Sequence, residues 1–261
     1  LICIGVLIAL VPGITRLWLL VVVLFFLGIA SASFDVSENT LLIWAHGSGV
    51  GPFMNGLHLF FGIGALIAPL IIAWSLSSFQ NIDRAFWLFS LMILPVIFWV
   101  VRLPAPKMEI AADEAQAKLR NYSLLALTVV VMMLYVGAEV GFSSWLYTYV
   151  LEMRLSGEAI AAQLTSAFFL ALTAGRLIAI PISTRVSPHR IIITDLVGSI
   201  LSAGILLVWP QSMAALWIGV LGLGFSMASF FPTMFSYTGQ YVDISGRITS
   251  WIFAGASFGA M

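Results

Sequence analysis

Asp35, Glu38 and Asn39 fall in one short run, Phe34-Asp35-Val36-Ser37-Glu38-Asn39, inside an otherwise apolar stretch. Spacing of i, i+3 and i+4 puts all three on one helical face, and Gly28, Ser31 and Leu42 extend that stripe. Two carboxylates beside a carboxamide are suited to exchanging a proton or holding a small cation, and to accepting hydrogen bonds from a hydroxylated ligand. A second set lies in Tyr135-Val136-Gly137-Ala138-Glu139-Val140-Gly141-Phe142-Ser143-Ser144-Trp145. There Tyr135, Glu139, Phe142 and Trp145 are expected on neighbouring turns of one side, with Gly137 and Gly141 loosening the helix. An acid among aromatic rings suits a sugar, because the carboxylate accepts hydroxyl hydrogen bonds while a ring covers the apolar C–H face. The same rings also serve as packing or interface anchors. Asn55, His58, Gly62, Ala65 and Pro69 recur at spacings of three and four, so they share a face whose small members let another helix approach. His58 is either a hydrogen-bonded packing residue or part of a polar cavity. Arg176 is followed by Arg185, His189 and Arg190, and is expected to snorkel toward nearby headgroups.

Other patterns carry no chemistry. No H-E-x-x-H and no P-loop occurs, which removes zinc proteolysis and ATP-driven pumping within this chain. Cys3 is the single cysteine, so neither an internal disulfide nor a thiolate zinc cluster is possible. Gly255-Ala256-Ser257-Phe258-Gly259 has the form G-x-S-x-G, but a nucleophile elbow needs a strand before it and a partner His and acid after it. Asn121-Tyr122-Ser123 is a formal glycosylation sequon. An enzyme is not expected, nor is a metal or redox cofactor.

The elements that must position these residues follow from composition. Of 261 residues, 61% are hydrophobic and 8% charged, where a soluble domain carries roughly 25% charged residues. Mean hydropathy is +1.09. So few charges cannot clothe a water-facing surface, and the outer surface must meet lipid. The 11 basic and 11 acidic residues balance, which leaves no basic face for nucleic acid. Charged residues and turn formers cut the chain into seven whole spans near 16–45, 53–76, 84–103, 122–150, 159–183, 190–209 and 213–240, with partial ones at 1–13 and 246–261. The runs are continuous rather than alternating, which disfavours a β-barrel. Residues 104–121 form the one long polar linker. Placed in the cytoplasm, it puts Arg102, Lys107, Lys118, Arg120, Arg185, Arg190 and Arg247 inside against Arg16, Arg84 and Arg154 outside, in accord with the positive-inside rule. Trp18, Trp44, Trp74, Trp87, Trp99 and Trp145 fall near span ends as an aromatic belt. Glu38 and Asn39 stand close enough to the inner interface that contact with headgroups is the alternative to a buried role. Leu1-Ile2-Cys3 carries no basic region ahead of the apolar run, so the chain reads as the interior of a longer protein rather than as a signal peptide.

The run Phe26-Leu27-Gly28 through Asp35-Val36-Ser37-Glu38-Asn39, then Asn55-Gly56-Leu57-His58-Leu59-Phe60-Phe61-Gly62-Ile63-Gly64-Ala65 with Pro69, resembles the major facilitator superfamily. Tyr135 through Gly141, Gly175-Arg176 and Gly222 through Pro232 are similar to the branch of fucose–proton symporters and sodium-dependent glucose transporter-like proteins. The resemblance implies an all-α polytopic bundle of twelve helices in two halves. Residues 1–103 would be the end of the N-terminal half, from a partial third to the sixth helix. Residues 104–121 would be the cytoplasmic inter-half loop, and 122–261 the C-terminal half to a partial eleventh helix. It implies a secondary transporter of a small polar solute, most simply a sugar, driven by a proton or sodium ion through alternating access. The solute site would be lined by Asp35, Asn39, His58, Tyr135, Glu139 and Trp145. Asp35 matches the coupling acid of fucose-type symporters, with Glu38 competing for that role. Arg176, Arg185 and Arg190 resemble the basic part of a gating signature. The expected partners are the lipid bilayer and the small-molecule solute, with the chain a monomer in a plasma or cell membrane. A carrier of another solute, or a non-transporting sensor on the same scaffold, are the alternatives.

Overall fold

The computed structural model describes residues 1–102, 122–242 and 244–261, with the side chains of Ser48, Pro69 and Ala73 left aside. The expected loop 104–121 and Asn121 of the sequon lie outside the described residues. The described elements, in chain order, are α1 (Ile2–Leu10), a 3₁₀ turn (Val11–Gly13), α2 (Leu17–His46), a second 3₁₀ turn (Gly47–Gly49), α3 (Gly51–Phe79), α4 (Asp83–Arg102), α5 (Tyr122–Glu152), α6 (Glu158–Ser183), α7 (Pro188–Val208), α8 (Met213–Met227), α9 (Phe230–Thr238) and α10 (Gly246–Gly259). No strand occurs among the described residues. Seven stretches are long and apolar enough to cross a bilayer, six of them single helices and the seventh Met213–Thr238, which runs through α8 and α9. They coincide to within a few residues with the spans expected from the sequence.

Local chemistry sets the ends. The chain leaves α2 through Gly47 at φ 51°, a left-handed conformation that glycine adopts without a Cβ penalty. Pro188 opens α7 at a position where its missing N–H is not needed. Asp83 in the first turn of α4 and Arg102 in its last complement the helix dipole. The Ser212 side chain accepts from the Ala215 N–H at 3.3 Å to start α8.

The expected span at 213–240 is not one regular helix. Pro232 has no N–H to give and its ring crowds the carbonyl four residues back, that of Ala228, so the main-chain ladder is interrupted between α8 and α9. Conversely, Gly137 and Gly141 do not break α5, which runs unbroken through both. Gly137 is instead a contact point: a Cβ there would stand 3.1 Å from the Gly259 carbonyl of α10.

The described chain divides into two compact units. One holds residues 1–41 and 64–102, where α1 packs on α4 and Ser90 Oγ donates to the Gly5 carbonyl at 2.8 Å. The other holds residues 42–63, 122–242 and 244–261. Its core gathers Met54, Met132, Leu164, Phe168, Val220, Phe235 and Ile252, all fully buried. Within that unit α10 lies against α5 through Gly255 and Gly259. A Cβ at Gly255 would stand 2.8 Å from the Val129 carbonyl, and one at Gly259 would collide with the carbonyl of Met133. The G-x-S-x-G look-alike is thus a small-xxx-small packing seam. Outward-facing Trp18, Trp87, Trp99, Val101 and Leu207 are exposed along the helices, a surface suited to lipid rather than water.

Candidate functional site

Taken helix by helix, α2 carries the first acidic group. Asp35 and Glu38 are half-buried and, among the described residues, neither forms an ion pair or a side-chain hydrogen bond. Asn39 is only 1% exposed. Its Nδ2 donates to the Asp35 carbonyl at 2.8 Å, while its Oδ1 is buried with no partner among the described residues. A buried acceptor left in that state costs roughly 1–3 kcal/mol, so a donor from a ligand has something to gain there.

A second polar group is built inside the other unit. Arg176 of α6 is 4% exposed and does not snorkel, because three acceptors hold it in the interior. Its Nε donates to the Ala228 carbonyl at 3.3 Å and its Nη1 to the His58 carbonyl at 3.0 Å, while Nη2 stands 3.9 Å from Glu139 Oε1. The Ala228 carbonyl is the one that Pro232 frees, so the guanidinium fills a vacancy that the proline creates. Arg185 and Arg190 are exposed and, among the described residues, make no side-chain hydrogen bond or ion pair, unlike the buried Arg176.

Tyr135 of α5 is buried, its hydroxyl donating to the Met227 carbonyl at 2.7 Å and its ring stacked on Phe230 at 4.8 Å. Asp195 of α7 is 9% exposed and accepts from Ser229 Oγ at 2.7 Å. Three neighbouring helices therefore each send one polar side chain to the consecutive residues Met227, Ala228 and Ser229, where the ladder of the span is interrupted. Glycine permits part of this approach, since Gly198, one turn past Asp195, lies directly against Ser226 and has no room for a Cβ.

His58 of α3 packs edge-on against Phe231, with centroids 4.9 Å apart, and its Nε2 is buried without a partner. Asn55 is fully buried, bonded through Nδ2 to the Gly51 carbonyl at 3.0 Å, and its Oδ1 is also unpartnered. Gly62 on the same face meets Thr173 of α6 at 2.7 Å from a would-be Cβ, as its small size implied. Trp145 is 70% exposed and, among the described residues, makes no hydrogen bond or ring contact, so the expected stripe of Tyr135, Glu139, Phe142 and Trp145 splits. Tyr135 and Glu139 join the interior group, Phe142 packs on Phe168 at 5.3 Å, and Trp145 turns outward. Six residues at 100° each set it about 120° round the helix from Glu139.

Asp195 is absent from the residues that the sequence singled out, although the signal was there. It is the one charged residue in the run from Ile191 to Val208, the same pattern that drew attention to Asp35. Among the described residues no cluster of three or more His, Cys, Asp or Glu is arranged to hold a metal.

A family model described as Major Facilitator Superfamily matches residues 1–261. The chain is 28% identical to Sodium-dependent glucose transporter 1 of Homo sapiens, covering 97% of this chain and 56% of that protein. It is 24% identical to Major facilitator superfamily domain-containing protein 4A of Homo sapiens, covering 90% and 65% respectively. The chain thus spans little more than half to two thirds of the length of these relatives. Among solved structures, it is similar to a crystal structure of a Major Facilitator Superfamily transporter, FucP, in the outward conformation. That match has a TM-score of 0.79 at 16% identity, over 99% of this chain and 71% of that one.

Proposed function

Since the chain belongs to the Major Facilitator Superfamily and is an integral, multi-pass membrane protein, we propose that it is part of a secondary transporter that moves a small polar solute, a sugar, by ion-coupled alternating access. The observation that carries this reading is the set of buried side-chain polar atoms without a protein partner among the described residues, Asn39 Oδ1 in one unit and Asn55 Oδ1, His58 Nε2 and Thr233 Oγ1 in the other, on helices that are otherwise apolar. Each is an unmet hydrogen-bonding position of the kind that a hydroxyl fills, and leaving such atoms unmet in a protein interior is unfavourable. The similarity to Sodium-dependent glucose transporter 1 supports the same reading.

Asp35 and Asn39 in one unit, and His58, Tyr135 and Glu139 in the other, are each proposed to contact solute, while the outward-turned Trp145 is not. Asp35 is the coupling acid with Glu38 beside it, the driving ion being a proton or sodium. Arg176 has a holding role, tying Glu139 to the interrupted span, and Arg185 with Arg190 are basic gate residues at the membrane face. Residues 104–121 form the cytoplasmic connection between the halves 1–103 and 122–261. No resident cofactor is part of the proposal.

The test is uptake of labelled glucose and fucose into proteoliposomes holding the intact protein, under an imposed sodium or proton gradient. Gradient-driven accumulation above protein-free vesicles supports the reading. Saturable binding without any flux favours a sensor on the same scaffold, and flux of an unrelated solute with neither sugar competing overturns the sugar assignment.

A further inference from the structure

Asp195 is notable for what it lacks. Its carboxylate is buried on an apolar helix, takes one 2.7 Å hydrogen bond from Ser229 Oγ, and has no cationic side chain within 4.0 Å among the described residues. The surrounding elements supply none in reserve. From α5 come Tyr135 and Glu139, from α6 Arg176, from α3 His58 and from α9 Tyr237, while α8 has no ionisable side chain. Arg176 is the one permanent cation of that set, and its guanidinium is committed to Glu139, the His58 carbonyl and the Ala228 carbonyl. An ionised carboxylate so placed in a membrane span is unfavourable. Burial without a counter-cation therefore disfavours the charged form of Asp195.

The position of Asp195 adds a way to change that state. Ser229 sits at the interruption of Met213–Thr238, where Pro232 has already removed one ladder bond and the Met227 and Ala228 carbonyls are held by side chains instead of by the helix. Interrupted spans with freed backbone groups are where secondary carriers bind their ions. We propose that Asp195, bonded to Ser229 at this interruption, is a proton-carrying site. It holds a proton on its carboxyl while buried, and when the interruption opens to water the carboxyl O–H bond breaks and the proton passes to a water molecule, leaving the carboxylate hydrated. The site rests on this geometry alone, whereas its service as a coupling site rests on the carrier reading above.

The experiment is infrared spectroscopy of the carboxyl C=O stretch in the intact, detergent-solubilised protein at neutral pH. The native protein is expected to show a protonated-carboxyl band that loses one carboxyl's worth of intensity in Asp195→Asn. In Ser229→Ala the band should keep its intensity and move to higher frequency, since the hydroxyl that bonds the carboxyl is gone. That second variant retains the acid and reads the site even if Asp195→Asn does not fold. Equal band intensity in native and Asp195→Asn protein, or an unmoved band in Ser229→Ala, overturns the proposal, as does loss of the band on replacing potassium with sodium at constant pH. Sugar flux is measured in parallel on the same preparations. An intact Asp195 band with no flux of any sugar overturns the carrier reading and leaves the proton site standing. Proton-driven flux with no Asp195 band does the reverse.

Discussion

Replacing Glu139 with Gln keeps the side chain's shape and removes its charge, which leaves the 4%-exposed guanidinium of Arg176 with two carbonyl acceptors and no anion. Removing one partner of a buried ion pair costs ~3–5 kcal/mol. Glu139 retains 19% exposure and stands 3.9 Å away, so the lower end, about 3 kcal/mol, is expected. Arg176→Met removes the cation along with its bonds to His58 and Ala228, hydrogen bonds of ~1.5–3 kcal/mol each. It also strands Glu139, so about 4 kcal/mol is expected after the methionine recovers some packing. The double variant loses the same bonds but buries no lone charge, and its destabilisation should fall short of the sum of the two by ~1–2 kcal/mol. Denaturant unfolding of the intact protein in mixed micelles measures all four corners of the cycle. Additivity to within about 0.3 kcal/mol would refute the pairing, because two side chains that do not interact add to that precision.

Gly259→Val should be destabilised by about 3 kcal/mol or fail to assemble, because the new side chain meets the Met133 carbonyl, whereas Gly141→Ala on the same seam's partner helix meets open space and should gain up to ~1 kcal/mol. Unfolding in micelles distinguishes the two glycines. Asp35→Asn in the intact protein should still exchange solute across the membrane yet fail to accumulate it against a gradient, with Glu38→Gln doing less harm; the opposite order would move the coupling role to Glu38. Cysteines placed at Lys118 and Ser187, after Cys3→Ser, should be labelled by an impermeant reagent from the same face of sealed vesicles, and labelling from opposite faces would contradict the proposed topology.

Hydropathy is a local property, so the spans were legible residue by residue: 16–45 and 190–209 were expected, and Leu17–His46 and Pro188–Val208 are observed. The polar residues of α2 were legible for the same reason, since Asp35, Glu38 and Asn39 contrast with their own neighbours in the chain. What local contrast cannot convey is which neighbour a side chain meets. Arg176 looked like a snorkelling arginine until the fold brought it a carboxylate from α5 and carbonyls from α3 and from the interrupted span. Pro232 is visible in the sequence, but that its freed carbonyl would be taken by a residue 52 positions away is a matter of packing. Gly255 and Gly259 spell a catalytic pattern in one dimension and a packing seam in three, because only the approach of α5 determines what their missing side chains make room for. Trp145 and Glu139 are six residues apart on one helix and still face different surroundings. The sequence by itself determined that this chain lies in a membrane as helices of known extent. Tertiary structure decided which of its few charges are paired and which are left alone, since in a medium without water a charge is defined by what packs against it.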